Sequence, residues 1–256
     1  MKVLFIGDIV GAPGREKICA ELKHVIEKQD IFFTIAQGEH IAGRVGITEK
    51  TAKKLLASGV DCITTGNHVW RYRDVYEYLD REMRILRPAN YPDGVPGHGY
   101  AVYEKMNVKV GVINLEGRVF MKALDDPFRR GRAIARELLE QTPNIFIDFH
   151  AEATSEKRAL GYYCADLVTG FVGTHTHIQT ADEQIVGKKM AYITEVGMVG
   201  SAESVIGIKQ NEIIQHFLLS IPQKFKEAKD NIVADCVIID FDEHTGTARS
   251  IIRYRF

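Results

Sequence analysis

Two histidines one residue apart, His175 and His177, are the sharpest chemical signal in the chain. In extended backbone, residues i and i+2 face the same side. Two imidazoles placed that way can grip one metal ion or two neighbouring ions. The same spacing also describes a pair of surface histidines at a strand end. Other metal-capable residues stand in short polar breaks after apolar runs: Asp8, Glu39 with His40, Asn67 with His68, and His150. A glutamate can bridge two cations through its two oxygens, so Glu39 could be shared within a dinuclear site. Taken alone, Asp8 is equally a turn former or helix cap, and Glu39 with His40 is equally a solvated loop pair. Gly66 permits a sharp turn. Asn67 offers a neutral carbonyl oxygen or caps the next helix, and His68 can point away from a metal and handle a proton. His150 is either a ligand or a buried imidazole bonded to Asp148. Nitrogen and oxygen donors without thiolates suit Mn, Fe or Zn better than an iron–sulfur cluster. Two such ions ~3.5–4 Å apart clamp the attacking and leaving oxygens of a displacement at phosphorus.

The elements that must position these residues alternate in type. Val3 to Ile6 reads as a buried strand ending at Gly7 and Asp8. Ile18, Cys19, Leu22, Val25 and Ile26 recur at helical spacing. Residues 31–36 form a second strand, followed by a polar, glycine-bearing loop over 37–46. Thr48 can cap a helix carrying Leu55 and Leu56, which Gly59 can end. Residues 60–65 form a third strand, with Gly66, Asn67 and His68 at its end. This β-α-β-α-β series implies parallel strands with right-handed crossovers, and open α/β sheets place their sites at the carboxyl ends of such strands. Farther along, 100–103 and 108–115 predict an antiparallel hairpin. A charged helix over 125–140 has Pro127 in its first turn. A strand over 145–149 ends at His150, a short helix covers 155–164, and a strand over 167–173 ends at the His175 pair. Another strand covers 190–194, a mostly helical stretch 207–220, and a closing hairpin 231–241 and 247–254. One domain over 1–256, with two sheets and outer helices, accounts for this order; the segment near 116–140 is a candidate small lid.

Composition excludes several classes. Lys plus Arg is 33 and Asp plus Glu is 34, a formal net charge of -1, which opposes stable DNA binding by bulk charge. No apolar run approaches the ~18 residues of a membrane span. The opening MKVLFIGDIVGAPG reads as a strand kept in the mature protein, not as a cleaved leader. Cys19, Cys62, Cys164 and Cys236 form no CxxC pair and lie in apolar-patterned segments, as expected of buried thiols in a reducing cytoplasm. The glycines after the first strand are not followed by Gly-Lys-Ser/Thr, and no G-x-S-x-G elbow occurs.

GDIVG at 7–11, GEHIAG at 38–43, TTGNH at 64–68 and RPANYP at 87–92 resemble segments of the YmdB-like bacterial metallophosphoesterases. So do DFHAEATSEK at 148–157, GTHTHIQTAD at 173–182 and TEVGM at 194–198. GNH and GTHTH are shared with calcineurin-like phosphoesterases in general; DFHAEATSEK is more specific to the YmdB-like group. The resemblance implies an α/β fold, a four-layer α/β/β/α sandwich of two mixed sheets flanked by helices. It implies a 2',3'-cyclic-nucleotide 2'-phosphodiesterase with two metal ions, iron favoured and Mn, Mg or Zn as alternatives. By position, Asp8, Glu39, His40, Asn67, His150, His175 and His177 match the metal-binding set. Asp8, Glu39, His40 and His177 would hold one ion, and Glu39, Asn67, His150 and His175 the other. Glu39 matches the bridging ligand, a metal-bridging hydroxide would be the nucleophile, and His68 matches the general acid. The resemblance further implies a cytoplasmic homo-oligomer with a nucleotide or other phosphodiester substrate and a partner in RNA turnover. The alternatives are a regulator that binds a partner or RNA around a structural or nucleotide-sensing metal site, and a related phosphomonoesterase. Three residues depart from the family pattern. His40 stands where Asn is usual, Arg44 replaces a glycine and is either a phosphate contact or solvated, and Glu195 replaces a common Asp.

Overall fold

Strand β1 (Lys2–Ile6) is buried along almost its whole length, and its alternation divides it between two cores. Val3 and Phe5 pack with Phe33, Ile35, Val110, Val112, Phe146 and Val172. Leu4 and Ile6 pack on the opposite face with Ile18, Leu22, Val25 and Leu55. A strand that is apolar on both faces must lie between two layers. The computed structural model that shows this describes residues 1–43 and 45–256; the two readings of Arg44 lie outside the described residues.

The first sheet begins with β1, passes through Gly7 into β2 (Asp8–Ile9), and returns along helix α1 (Gly11–Gln29). β3 (Phe33–Gln37), α2 (Glu49–Ala57), β4 (Cys62–Thr64), α3 (Tyr76–Arg81) and β5 (Ile85–Leu86) follow. β1, β3, β4 and β5 are parallel neighbours. The hairpin β6 (Tyr100–Lys105) and β7 (Val108–Glu116) opens the second sheet. Then come α4 (Pro127–Leu139), β8 (Ile145–His150), α5 (Thr154–Cys164), β9 (Gly170–Thr174), β10 (Gln184–Val186) and β11 (Met190–Ile193). β7, β8, β9 and β11 are parallel neighbours, with β6 and β10 antiparallel at the edges. The chain then returns to the first sheet through β12 (Met198–Ser201), α6 (Gln210–Leu219), β13 (Ile232–Asp242) and β14 (Thr247–Arg255).

Three apolar cores separate four layers. The first lies between α1, α2, α3 and the first sheet. The second lies between the sheets, and the third between the second sheet and α4 with α5. This is the expected α/β/β/α sandwich of two mixed sheets. No disulfide joins the layers, since all four cysteines are free. Fully burying one Phe, Ile, Leu or Val side chain contributes about 1.5–3 kcal/mol, so the middle layer alone can hold the sheets together. Of residues 116–140, Glu116 ends β7 and 127–139 form α4, whose Ile134, Ala135 and Leu138 enter the third core.

Local chemistry sets the helix ends. Thr48 accepts the Thr51 amide while the Thr51 hydroxyl accepts the Thr48 amide, a reciprocal cap for α2. Gly59 follows at φ +113°, a left-handed conformation that glycine adopts freely. Asp126 caps α4 through the Phe128 and Arg129 amides, with Pro127 as the first helical residue. Several expectations need correction. α1 starts at Gly11, before the first apolar residue of its pattern, and α3 was not anticipated. Nor were β2, β5, β10 and β12, which are only two to four residues long and carry no readable period. Cys19 is exposed, because Ile18, Leu22 and Val25 face the sheet and the next residue round turns outward. Among the described residues, no helix is long and apolar enough to cross a membrane.

Candidate metal centre

The two sheets present the ends of their parallel strands along one rim, where helices begin and strand backbone is released. Asp8 follows β1, within the short pairing of β2 with β12. Glu39 and His40 follow β3, and Asn67 and His68 follow β4. From the second sheet, His150 is the last residue of β8, and His175 and His177 follow β9. Gly66 makes this meeting possible, because a Cβ there would collide with the His150 ring and the Glu39 carboxylate.

His150 Nε2 is the meeting point. It lies 2.5 Å from Glu39 Oε2, 3.2 Å from Asn67 Oδ1 and 3.1 Å from His175 Nδ1. At the other end, His177 Nε2 lies 3.7 Å from Asp8 Oδ1, and the His40 and His177 rings meet edge to face at 5.2 Å. Asp8, His40 and His177 each offer one ligand atom, all within 4.8 Å of one another, and so do Asp8, Glu39 and His150. Asp8 is therefore common to both triads, although the resemblance makes Glu39 the shared ligand. The His175 and His177 side chains diverge to opposite ends of the site, the arrangement suited to two neighbouring ions. Their backbone is not the extended strand assumed from spacing: β9 ends at Thr174, and His175 and His177 have φ of +100° and +64°. Non-glycine residues at positive φ cost of order 1–3 kcal/mol each and need support from their surroundings.

Burial decides the electrostatics. Asp8, Glu39 and His150 are wholly inaccessible to solvent. Burial raises the Asp8 pKa well above the usual carboxylate range, and the nearby Glu195 and Glu39 charges add to it, against His150. Burial also acts to raise Glu39, but the adjacent His150 outweighs it and holds this carboxyl well below the usual range. Burial alone would lower His150; the Glu39, Asp8 and Asp148 charges reverse that and raise it to about 9. His175 and His177 are both pushed down to about 3, by burial and by neighbouring imidazoles, so they present neutral lone pairs. Asp8 Oδ1 is buried with no hydrogen-bond donor, and Glu39 Oε2 is met only by the His150 ring nitrogen. Such oxygens are costly unless a cation or proton compensates them. In the metal-free protein the His150 proton answers Glu39; a bound ion would replace it, as metal binding releases protons from its ligands. The donor set, its burial and the orphaned Asp8 oxygen fit divalent cations.

A cleft of about 440 Å³ opens onto this centre, lined by His40, His68, Glu152, His175 and His177 among others. The His68 amide donates to Glu39 Oε1, and its ring stands 5.6 Å from that of His40.

A family model described as a YmdB-like protein matches residues 4–254. The chain belongs to the YmdB-like family. It is 43% identical over 253 residues to the 2',3'-cyclic-nucleotide 2'-phosphodiesterase of Bacillus subtilis, covering 99% of this chain and 96% of that protein. Among solved structures, it resembles a hypothetical protein from Thermus thermophilus with a TM-score of 0.93 at 34% identity, covering 100% of this chain and 99% of that one. It also resembles a novel phosphatase from Mycoplasma pneumoniae with a TM-score of 0.91 at 30% identity, covering 100% of this chain and 93% of that one.

Around the donors, this YmdB-like protein carries a supporting set that motif spacing did not single out. Gln37 and Thr174 flank His150 Nδ1 at 3.1 and 3.0 Å, and the Thr174 hydroxyl donates to Asp148 Oδ1. Were Nε2 to hold an ion, Nδ1 would carry the ring proton and Thr174 would be its acceptor, because the Gln37 atom there is the donor nitrogen of its amide. The Gln37 carbonyl oxygen accepts the Glu39 amide at 2.7 Å and so shapes the loop before His40. The readable signal for this set is polarity inside buried strands, as in Asp148 between Ile147 and Phe149. Asp148, expected to bond His150 directly, reaches that imidazole through Thr174.

Proposed function

We propose that this protein is a metal-dependent phosphodiesterase that hydrolyses 2',3'-cyclic nucleotides to 3'-nucleotides at a dinuclear centre. The observation that carries this reading is the convergence of seven nitrogen and oxygen donors in one cluster, Asp8, Glu39, His40, Asn67, His150, His175 and His177, of which His40, His175 and His177 line the adjoining cleft. The name of the Bacillus subtilis relative supports the substrate class. Asp8, Glu39, His40 and His177 would hold one ion, and Glu39, Asn67, His150 and His175 the other, with Asp8 close to both. Iron is the ion favoured by the family resemblance; Mn, Mg and Zn are compatible with the same donors. Such ions, when bound, activate the attacking water and neutralise charge growing on the phosphoryl oxygens.

The remaining work falls to the chain. His68 lines the cleft without belonging to either triad. Its amide is tied to Glu39, which fixes the backbone and leaves the ring to serve as acid. The water oxygen bonds to phosphorus as the bond from phosphorus to the ribose 2' oxygen breaks. His68 gives a proton to that departing oxygen, and a 3'-phosphate remains. A cytoplasmic homo-oligomer and a link to RNA turnover belong to the same family-based reading.

The deciding experiment is product analysis with 2',3'-cyclic AMP, using metal-reconstituted wild type and Glu39→Gln, with Mn and Fe tried separately. Formation of 3'-AMP by the wild type, lost in the variant, is the expected result. No turnover at verified metal occupancy would rule out this reaction for the chain.

A further inference from the structure

Glu195 and Lys157 stand behind the centre, outside the donor set. Both side chains are buried, with Lys157 wholly inaccessible, and they pair at 2.8 Å. Lys157 comes from α5, and Glu195 from the loop between β11 and β12. Their contacts converge on the residue between the two histidines. Glu195 Oε2 accepts the Thr176 amide at 3.0 Å and the Thr176 hydroxyl at 2.7 Å. Its other oxygen accepts the Gly197 amide at 3.1 Å, and Lys157 Nζ also reaches the Thr176 hydroxyl at 3.4 Å. The Lys157 stem crosses the strand just before this turn; a Cβ at Gly173 would meet Lys157 Cδ at 2.8 Å. On the other side, Asp8 Oδ2 accepts the His175 amide at 3.0 Å. Two consecutive amides are thus held by two buried carboxylates, and the residues flanking Thr176 are the two at positive φ.

We propose that Glu195, neutralised by Lys157, is a positioning residue that clamps Thr176 and thereby holds His175 and His177 in the left-handed turn that aims them at opposite ends of the centre. The carboxylate satisfies the turn's inward amide and its hydroxyl together, which a neutral side chain of the same size does less well. Lys157 makes that buried charge tolerable, because an unpaired carboxylate at this depth would be strongly unfavourable. The proposal rests on the metal-binding reading of this site for its functional consequence, but the clamp itself exists without an ion.

The test compares wild type, Glu195→Gln and Thr176→Val by Mn(II) titration and by hydrogen exchange at the Thr176 amide in the metal-free protein. Glu195→Gln should weaken Mn binding about 10- to 100-fold, the usual effect of removing a group that orients ligands. It should also speed Thr176 exchange, with the rest of the amide spectrum retained. Glu195→Asp should restore most of the affinity. Thr176→Val keeps the ion pair and the amide bond and should lose several-fold in affinity, which decides the matter should Glu195→Gln fail to fold. Wild-type affinity in both variants, or unchanged Thr176 exchange in Glu195→Gln, overturns the clamp. Failure of the wild type to bind metal would sink the proposed function instead, and the exchange measurement would still decide the clamp.

Discussion

The two sheets deliver different chemistry to the same rim. The first supplies both carboxylates of the centre, Asp8 and Glu39, with the Asn67 amide and one imidazole, His40. The second supplies three imidazoles, His150, His175 and His177, and no carboxylate to either triad, although Glu152 after β8 lies 3.1 Å from His175 Nε2. Neither half holds a complete set. The carboxylates of the cluster thus come from one layer and three of its four imidazoles from the other. The second sheet does own a rim carboxylate, Glu116 at the end of β7, directly opposite His150 in the ladder. It is buried and belongs to neither triad, and burial, reinforced by the Glu39 charge, raises it to about 7 despite opposition from His150.

Removing His68, the proposed proton donor, should have the largest effect. His68→Ala is expected to lower kcat by roughly 10²–10⁴ with bound metal unchanged, because His68 contributes no ligand atom to the triads. Steady-state rates on 2',3'-cyclic AMP beside metal analysis by mass spectrometry check this. Equal rates at equal occupancy would remove His68 from the reaction.

Glu116 offers a sharper contrast between the halves. Its folded pKa lies above its ordinary value of 4.5. A raised acid favours the folded state fully below the ordinary value and loses that contribution as pH rises through about 7. Wild-type stability should therefore carry a falling component between about pH 4.5 and 7, absent from Glu116→Gln. Urea denaturation of both metal-free proteins across that range measures it together with its coupling to Glu39 and His150. Parallel curves would mean that Glu116 ionises normally. The smallest expected effect lies at His40. His40→Asn replaces a candidate imidazole ligand of the first sheet with an amide oxygen. It should weaken Zn binding several-fold while leaving Mn nearly unchanged, because imidazole favours later transition metals. Competition titrations with the two ions would show it, and an equal loss for both would make His40 a spacer.

The sequence revealed the donors more readily than their supports. Asp8, Glu39, Asn67, His150 and the His175 pair all stand where apolar runs stop, and the run lengths locate the strands that carry them. The layered order followed from parallel units succeeded by hairpins. Short strands such as β2 and β12 escaped notice because two to four residues cannot display a period, yet their pairing brings Asp8 beneath the His175 turn. The turn itself was misread as extended, since spacing carries no information about φ. Its cause lies at Glu195 and Lys157, nearly twenty residues away on either side, and contacts over such separations leave no local pattern.

Gly66 sets the clearance between the halves. A single hydrogen is all that separates the end of β4 from the His150 ring and the Glu39 carboxylate. A methyl group there would act as a wedge driven into the seam, forcing the imidazole of one sheet away from the acid of the other. The spacing of the reacting centre is thus gauged at a position that contributes no functional group. Variation at that point would be felt by both members of that pair at once, whereas their side chains can be altered one at a time.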